Sequence, residues 1–83
     1  MNNDEHIPIF FTQLKQGMTI RIVRACEDST VGRRLQEMGL TEGTVFEVVK
    51  VAPLGDPVEI SFRGYRLCLR RAETKCFDLE RVG

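Results

Sequence analysis

The sequence predicts an all-β fold with one short helix: five short antiparallel strands closing into a small, partly open barrel. Three observations carry this expectation. Residues 58–62 and 65–70 alternate apolar and polar side chains on either side of Arg63-Gly64, as two half-buried strands joined by a tight turn do. Residues 44–51 are β-branched and aromatic enough to form a strand of their own. A single stretch, 31–38, has helical spacing, and it ends at Gly39. In a chain of 83 residues, which buries roughly 60% of the surface its unfolded form exposes, closure is what limits exposed strand edges.

From the N-terminus, residues 1–10 read as a flexible extension and 11–83 as the domain. Within the extension, residues 7–11 are apolar around Pro8 and either dock on the domain or form a short edge segment. Residues 12–17 read as one helical turn, with Thr12 as its cap and Gly17 as its stop. The first strand is 18–25, with Ile20 and Ile22 on one face and Arg21 on the other. A polar loop follows, in which Ser29 or Thr30 caps the helix.

Val31, Leu35 and Met38 stand at i, i+4 and i+7, one face of that helix. Gly32 inside it costs about 1 kcal/mol relative to alanine, so the helix relies on packing. Gly39 takes positive φ without a Cβ penalty. With Gly39 as the first residue outside the helix, Leu40 and Leu35 fall at the positions whose contact closes a Schellman motif. Thr41-Glu42-Gly43 is a second turn, and residues 44–51 run out of it as a strand. In that strand Val45, Val49 and Val51 compete with Phe46 and Val48 for the inner face.

Residues 52–57 form a loop fixed by Pro53 and Pro57 and loosened by Gly55. After the strands 58–62 and 65–70, residues 71–74 make a tight polar turn, and 76–80 alternate as the last strand. The interior is expected to hold Ile20, Ile22, Phe46 or its neighbours, Ile60, Phe62, Leu67, Leu69, Phe77 and Leu79.

Twelve acidic and twelve basic side chains cancel, which argues against nucleic acid as the partner, since binders of that kind carry a basic excess. No apolar run approaches the about 20 residues of a membrane span, and no secretory signal pattern opens the chain. Cys26, Cys68 and Cys76 are irregularly spaced and odd in number, so three reduced, partly buried thiols are expected. They lack metal-ligand spacing, so no metal site is expected from the sequence, the alternative being one assembled in space from Cys26, Cys68 and Cys76. The only histidine, His6, lies in the polar N-terminus and is read as solvated. No nucleophile has a base beside it in the sequence, and the glycines sit at turns rather than in a phosphate-cradling loop. Neither catalysis nor a cofactor is expected.

Three segments carry a family resemblance. Gln36-Glu37-Met38-Gly39-Leu40-Thr41-Glu42-Gly43-Thr44, then Val51-Ala52-Pro53-Leu54-Gly55-Asp56-Pro57-Val58-Glu59-Ile60, and Gly64-Tyr65-Arg66-Leu67-Cys68-Leu69-Arg70-Arg71 resemble the ferrous iron transport protein A (FeoA) family. The resemblance covers about residues 14–82. It implies an SH3-like β-barrel of five strands, cytoplasmic and at the inner face of the membrane when bound to the ferrous iron permease FeoB, through its cytosolic G-domain or membrane part. It implies an accessory role that modulates the permease, as a monomer or weak homo-oligomer. A related barrel forms the C-terminal domain of metal-dependent transcriptional repressors, which leaves regulation by protein–protein contact as the alternative. The three cysteines and the residues before Phe11 are outside the family pattern.

The surface expected to meet a partner is assembled from two turns and an aromatic. Met38, Gly39 and Leu40 at the helix corner, and Leu54, Gly55 and Asp56 in the proline-bounded loop, put apolar side chains beside turn residues rather than inside alternating strands. Tyr65, at the exit of the hairpin, supplies the aromatic. Leu54 either tucks into the core or stands out as an anchor, and Leu40 is open to the same two readings.

Overall fold

The apolar alternation becomes one antiparallel sheet curled around a single core. The computed structural model describes residues 7–25, 30–75 and 77–82. The expectations for His6, Cys26, Ser29 and Cys76 fall outside these residues, as does that for the Val31 side chain. The elements are β1 (Ile7–Ile9), β2 (Thr19–Arg24), α1 (Thr30–Glu37), β3 (Val45–Val51), β4 (Val58–Phe62), β5 (Tyr65–Leu69) and β6 (Asp78–Val82), with 3₁₀ turns at Phe11–Gln13 and Arg71–Glu73. The strand order is β1-β6-β2-β3-β4-β5, and every pairing is antiparallel.

The expected five strands are there, and the sixth, β1, is the apolar segment around Pro8. It pairs with β6 as Ile7↔Arg81, Pro8↔Glu80 and Ile9↔Leu79. The expected domain boundary at residue 10 therefore falls after a strand that belongs to the sheet. The helical turn expected over 12–17 is shorter and starts earlier. Phe11–Gln13 makes the 3₁₀ turn, and the Gln13 side-chain carbonyl, not Thr12, caps it by accepting the Phe10 N–H at 2.8 Å. Gly17 (φ +92°) instead turns the chain into β2, donating its N–H to the Val48 carbonyl at 2.9 Å.

Leu14, Ile20, Ile22, Leu35, Leu40, Phe46, Val48, Val58, Ile60, Phe62, Leu69, Phe77 and Leu79 share one buried cluster, with Leu67 packed against it half-buried. The ambiguity in β3 has a physical cause. The register runs Val48↔Ile60 and then Lys50↔Glu59, so Val49 is an extra residue in a β-bulge. Phe46 and Val48 face inward before the bulge, and Val51 returns to the core after it. A similar shift between Ile22 and Arg24 on β2 leaves Val23 exposed. The sequence shows both competing faces because the strand uses each in turn.

Candidate partner-binding surface

The helix corner is a Schellman closure. The Leu40 N–H donates to the Leu35 carbonyl at 2.9 Å and the Gly39 N–H to the Gln36 carbonyl at 2.9 Å, with Gly39 at φ +108°. The exit from the helix is then locked from two sides. The Thr44 hydroxyl, buried, donates to the Gly39 carbonyl at 2.9 Å, and the Gly43 N–H donates to the Ile22 carbonyl at 2.7 Å. These bonds tie the turn to β2 and aim β3.

This closure drives the Leu40 side chain into the core, where it is 0% exposed. Leu40 is therefore a core residue and cannot touch a partner, which corrects the expectation placed on it. Met38, one residue before the glycine, is 51% exposed. Its position on the helix face shared with Leu35 does not bury it, because the chain turns away at Gly39 before the sheet covers it.

The β4–β5 hairpin turns through Arg63 (φ +52°) and Gly64 (φ +81°), both positive as a type I′ turn requires. Arg63 pays the strain of the left-handed region, and its side chain lies over the helix end. A Cβ on Gly39 would sit 3.2 Å from Arg63 Nη1 and 3.2 Å from Phe62 Cε2. A guanidinium there complements the negative end of the helix dipole. Beyond it Tyr65 is 67% exposed, its ring 6.4 Å from that of the buried Phe62 and tilted by 50°. Met38, Gly39 and Tyr65 thus share one end of the molecule, with Arg63 between them. The sequence marks Arg63 as the first residue of the two-residue turn but not as part of the contact surface.

The other expected group lies elsewhere. Loop 52–57 precedes β4, whereas Tyr65 follows the turn at its far end, so a strand of roughly 17 Å separates them. The loop is closed by the Gly55 N–H donating to the Ala52 carbonyl at 2.7 Å and the Ala52 N–H to the Pro57 carbonyl at 3.1 Å, with Asp56–Pro57 cis. Asp56 Oδ1 accepts the Arg71 N–H at 3.0 Å, which fastens the loop to the start of the second 3₁₀ turn. Leu54 is 96% exposed, so of its two readings the structure takes the outward one.

Between the helix and the edge strand β5 runs a cavity of about 180 Å³, lined by Arg34, Leu35, Met38, Leu67, Cys68 and Glu73. Cys68 carries a free thiol and is exposed rather than partly buried as expected, because it sits on the outer face of β5 opposite Glu59. Among the described residues no group of three or more His, Cys, Asp or Glu side chains is placed to hold a metal ion. No helix among them is long and apolar enough to cross a membrane.

A single antiparallel sheet with one short helix, packed around one core, is the architecture of a small SH3-like domain. The FeoA domain matches residues 11–76, and the chain belongs to the FeoA family. It is 32% identical over 71 residues to the Fe(2+) transport protein A/Fe(2+) transporter FeoB fusion protein of Porphyromonas gingivalis, covering 86% of this chain. This chain spans only 8% of that protein's length. The solution structure of FeoA from Chlorobium tepidum is similar at TM-score 0.76 and 31% identity, over 90% of this chain and 71% of that one. Stenotrophomonas maltophilia FeoA complexed with zinc, a prokaryotic SH3 domain protein, matches at TM-score 0.66 and 23% identity, over 90% of this chain and 87% of that one. At that identity the likeness shows the fold.

Proposed function

We propose that this chain is a non-enzymatic accessory of ferrous iron uptake that binds the permease FeoB at the cytosolic face of the membrane and modulates its activity. The observation that carries this reading is the fusion in Porphyromonas gingivalis, where a domain similar to this chain is covalently part of a FeoB transporter. Joining two modules in one polypeptide raises their effective concentration, which helps most when they already work in contact. The exposed Met38, Leu54 and Tyr65 give the module apolar anchors for such a contact, with Gly39, Gly55 and Asp56 shaping the two turns that present them.

The test is co-purification of the tagged chain with FeoB from membranes of its own cell, followed by ferrous iron uptake with and without the chain. Stoichiometric recovery of the permease and a changed uptake rate are expected. Absence of FeoB from the recovered complex, with uptake unaltered by deletion of the chain, overturns the proposal.

A further inference from the structure

The sheet has two edges, and they are not alike. On β1 the middle residue is Pro8, which has no N–H to offer a further strand. On β5 there is no proline, and the register tells which backbone groups face outward. Phe62↔Tyr65 closes a two-residue turn and so exchanges both hydrogen bonds. Alternation then makes Ile60↔Leu67 a bonded pair and Ser61↔Arg66 and Glu59↔Cys68 the non-bonded ones. The N–H and C=O groups of Arg66 and Cys68 therefore point away from β4, and no described residue supplies a further strand beside them.

Along that edge lies the cavity between α1 and β5. Leu67 and Cys68 point to opposite faces of the strand, yet both line it, so the cavity follows the strand's edge. Its helical wall is Arg34 and Met38, with Leu35 beneath. Arg34 and Arg63 have no carboxylate within ion-pair distance among the described residues, while Arg66 reaches Glu59 at 3.6 Å. Glu73 in the cavity turns one carboxylate oxygen to the Arg70 N–H at 3.1 Å.

The geometry points to strand addition: an extended, acidic and apolar segment of the partner pairs with β5 in the groove against α1. Its backbone would bond Arg66 and Cys68, an apolar side chain would fill the space beside Met38 and Leu67, and carboxylates would meet Arg34 and Arg63. Such a segment also joins the two separated ends of the site. It starts at Tyr65 and finishes beside loop 52–57, since Leu69 pairs with Val58 at the loop's exit and Arg71 is bonded to Asp56. This inference rests on FeoB being the partner and specifies how it is held.

The test uses the full chain and its own cell's FeoB in nanodiscs. Amide hydrogen exchange at Arg66 and Cys68, the two β5 residues whose N–H groups face outward, should slow at least tenfold on binding. Cys68→Pro removes the outward N–H and should bind at least tenfold more weakly, while Cys68→Ser, which keeps that N–H, should lose far less. Arg34→Glu should also weaken binding severalfold. Tight binding with unchanged exchange in β5 overturns the groove but leaves FeoB as partner; no binding by the wild-type chain overturns both. Protection of β5 that appears without FeoB and grows with protein concentration assigns the edge to a second copy and overturns the proposal. If Cys68→Pro fails to fold by circular dichroism, the exchange measurement on the wild-type chain decides.

Discussion

The Leu40 amide reaches back 2.9 Å to the Leu35 carbonyl, and both side chains are buried in the core beneath that bond. The geometry holds only while Gly39 keeps its positive φ. Gly39→Ala is expected to strain the backbone and to press a methyl to 3.2 Å from both Phe62 Cε2 and Arg63 Nη1. The guanidinium can swing away, but the buried Phe62 ring cannot. Gly43, at φ +87° with open space around its Cβ position, supplies the control. Gly43→Ala should cost about 1–2 kcal/mol from backbone strain alone, and Gly39→Ala about 1 kcal/mol or more beyond that. Urea denaturation of the two variants measures the difference, and equal midpoints would show that Phe62 does not constrain the corner.

Thr44 is a buried hydroxyl with a full set of local duties. It donates to the Gly39 carbonyl at 2.9 Å, and the Thr41 N–H lies 3.2 Å from its Oγ1. Thr44→Val keeps the shape and leaves the Gly39 carbonyl with one donor fewer, so a loss of about 1–2 kcal/mol is expected. Thr44→Ser retains the hydroxyl and should recover most of it. A valine variant as stable as wild type would mean that the bond adds nothing beyond the Thr41 N–H, which also reaches that carbonyl at 3.0 Å.

How far the sequence led can be traced through these residues. Local signals were legible: the glycine that ends α1, the Leu35–Leu40 closure and the Arg63-Gly64 turn all depend on neighbours a few positions apart. The bulge at Val49 was visible only as a competition between two faces, because an inserted residue resets a period-two pattern without announcing where. β1 was undecided because Pro8 interrupts its alternation and its partner, β6, lies at the other end of the chain. The candidate site was half legible. Residue type marked Met38, Leu54 and Tyr65, but whether Leu40 faced in or out depended on tertiary packing. That Tyr65 and Leu54 lie at opposite ends of β4 followed from chain direction, a step that residue type does not contain. The α1–β5 groove is a product of the topology and has no sequence signature.

Asp56 links loop 52–57 to the Arg71 amide through one hydrogen bond of 3.0 Å. Asp56→Ala should free the loop and lower stability by about 1 kcal/mol, whereas Asp56→Asn keeps an acceptor and should lose less. Amide exchange at Arg71 reports the bond directly: faster exchange in the alanine variant is expected, and an unchanged rate would show that the loop is held by its own turns.

The apolar residues of the site separate into packing and contact by where their side chains go. Leu40→Ser removes a fully buried side chain and should unfold or severely destabilise the domain, since even truncation to alanine costs about 2–5 kcal/mol in a core. Met38→Ser, Tyr65→Ser and Leu54→Ser alter exposed side chains and should each stay within about 0.5 kcal/mol of wild type. Their effect is expected in binding instead. Anchors of a small reversible interface are few, so at least one of the three should weaken FeoB binding by the equivalent of about 1 kcal/mol or more, roughly fivefold. Met38 and Tyr65 share one end of β4 while Leu54 stands at the other, so the pattern of losses locates the contact. A loss confined to Met38 and Tyr65 places it at the helix corner, and a loss confined to Leu54 places it at the loop. Losses at both ends require a partner segment as long as β5. Three folded variants that all bind like wild type would remove the contact from these residues altogether.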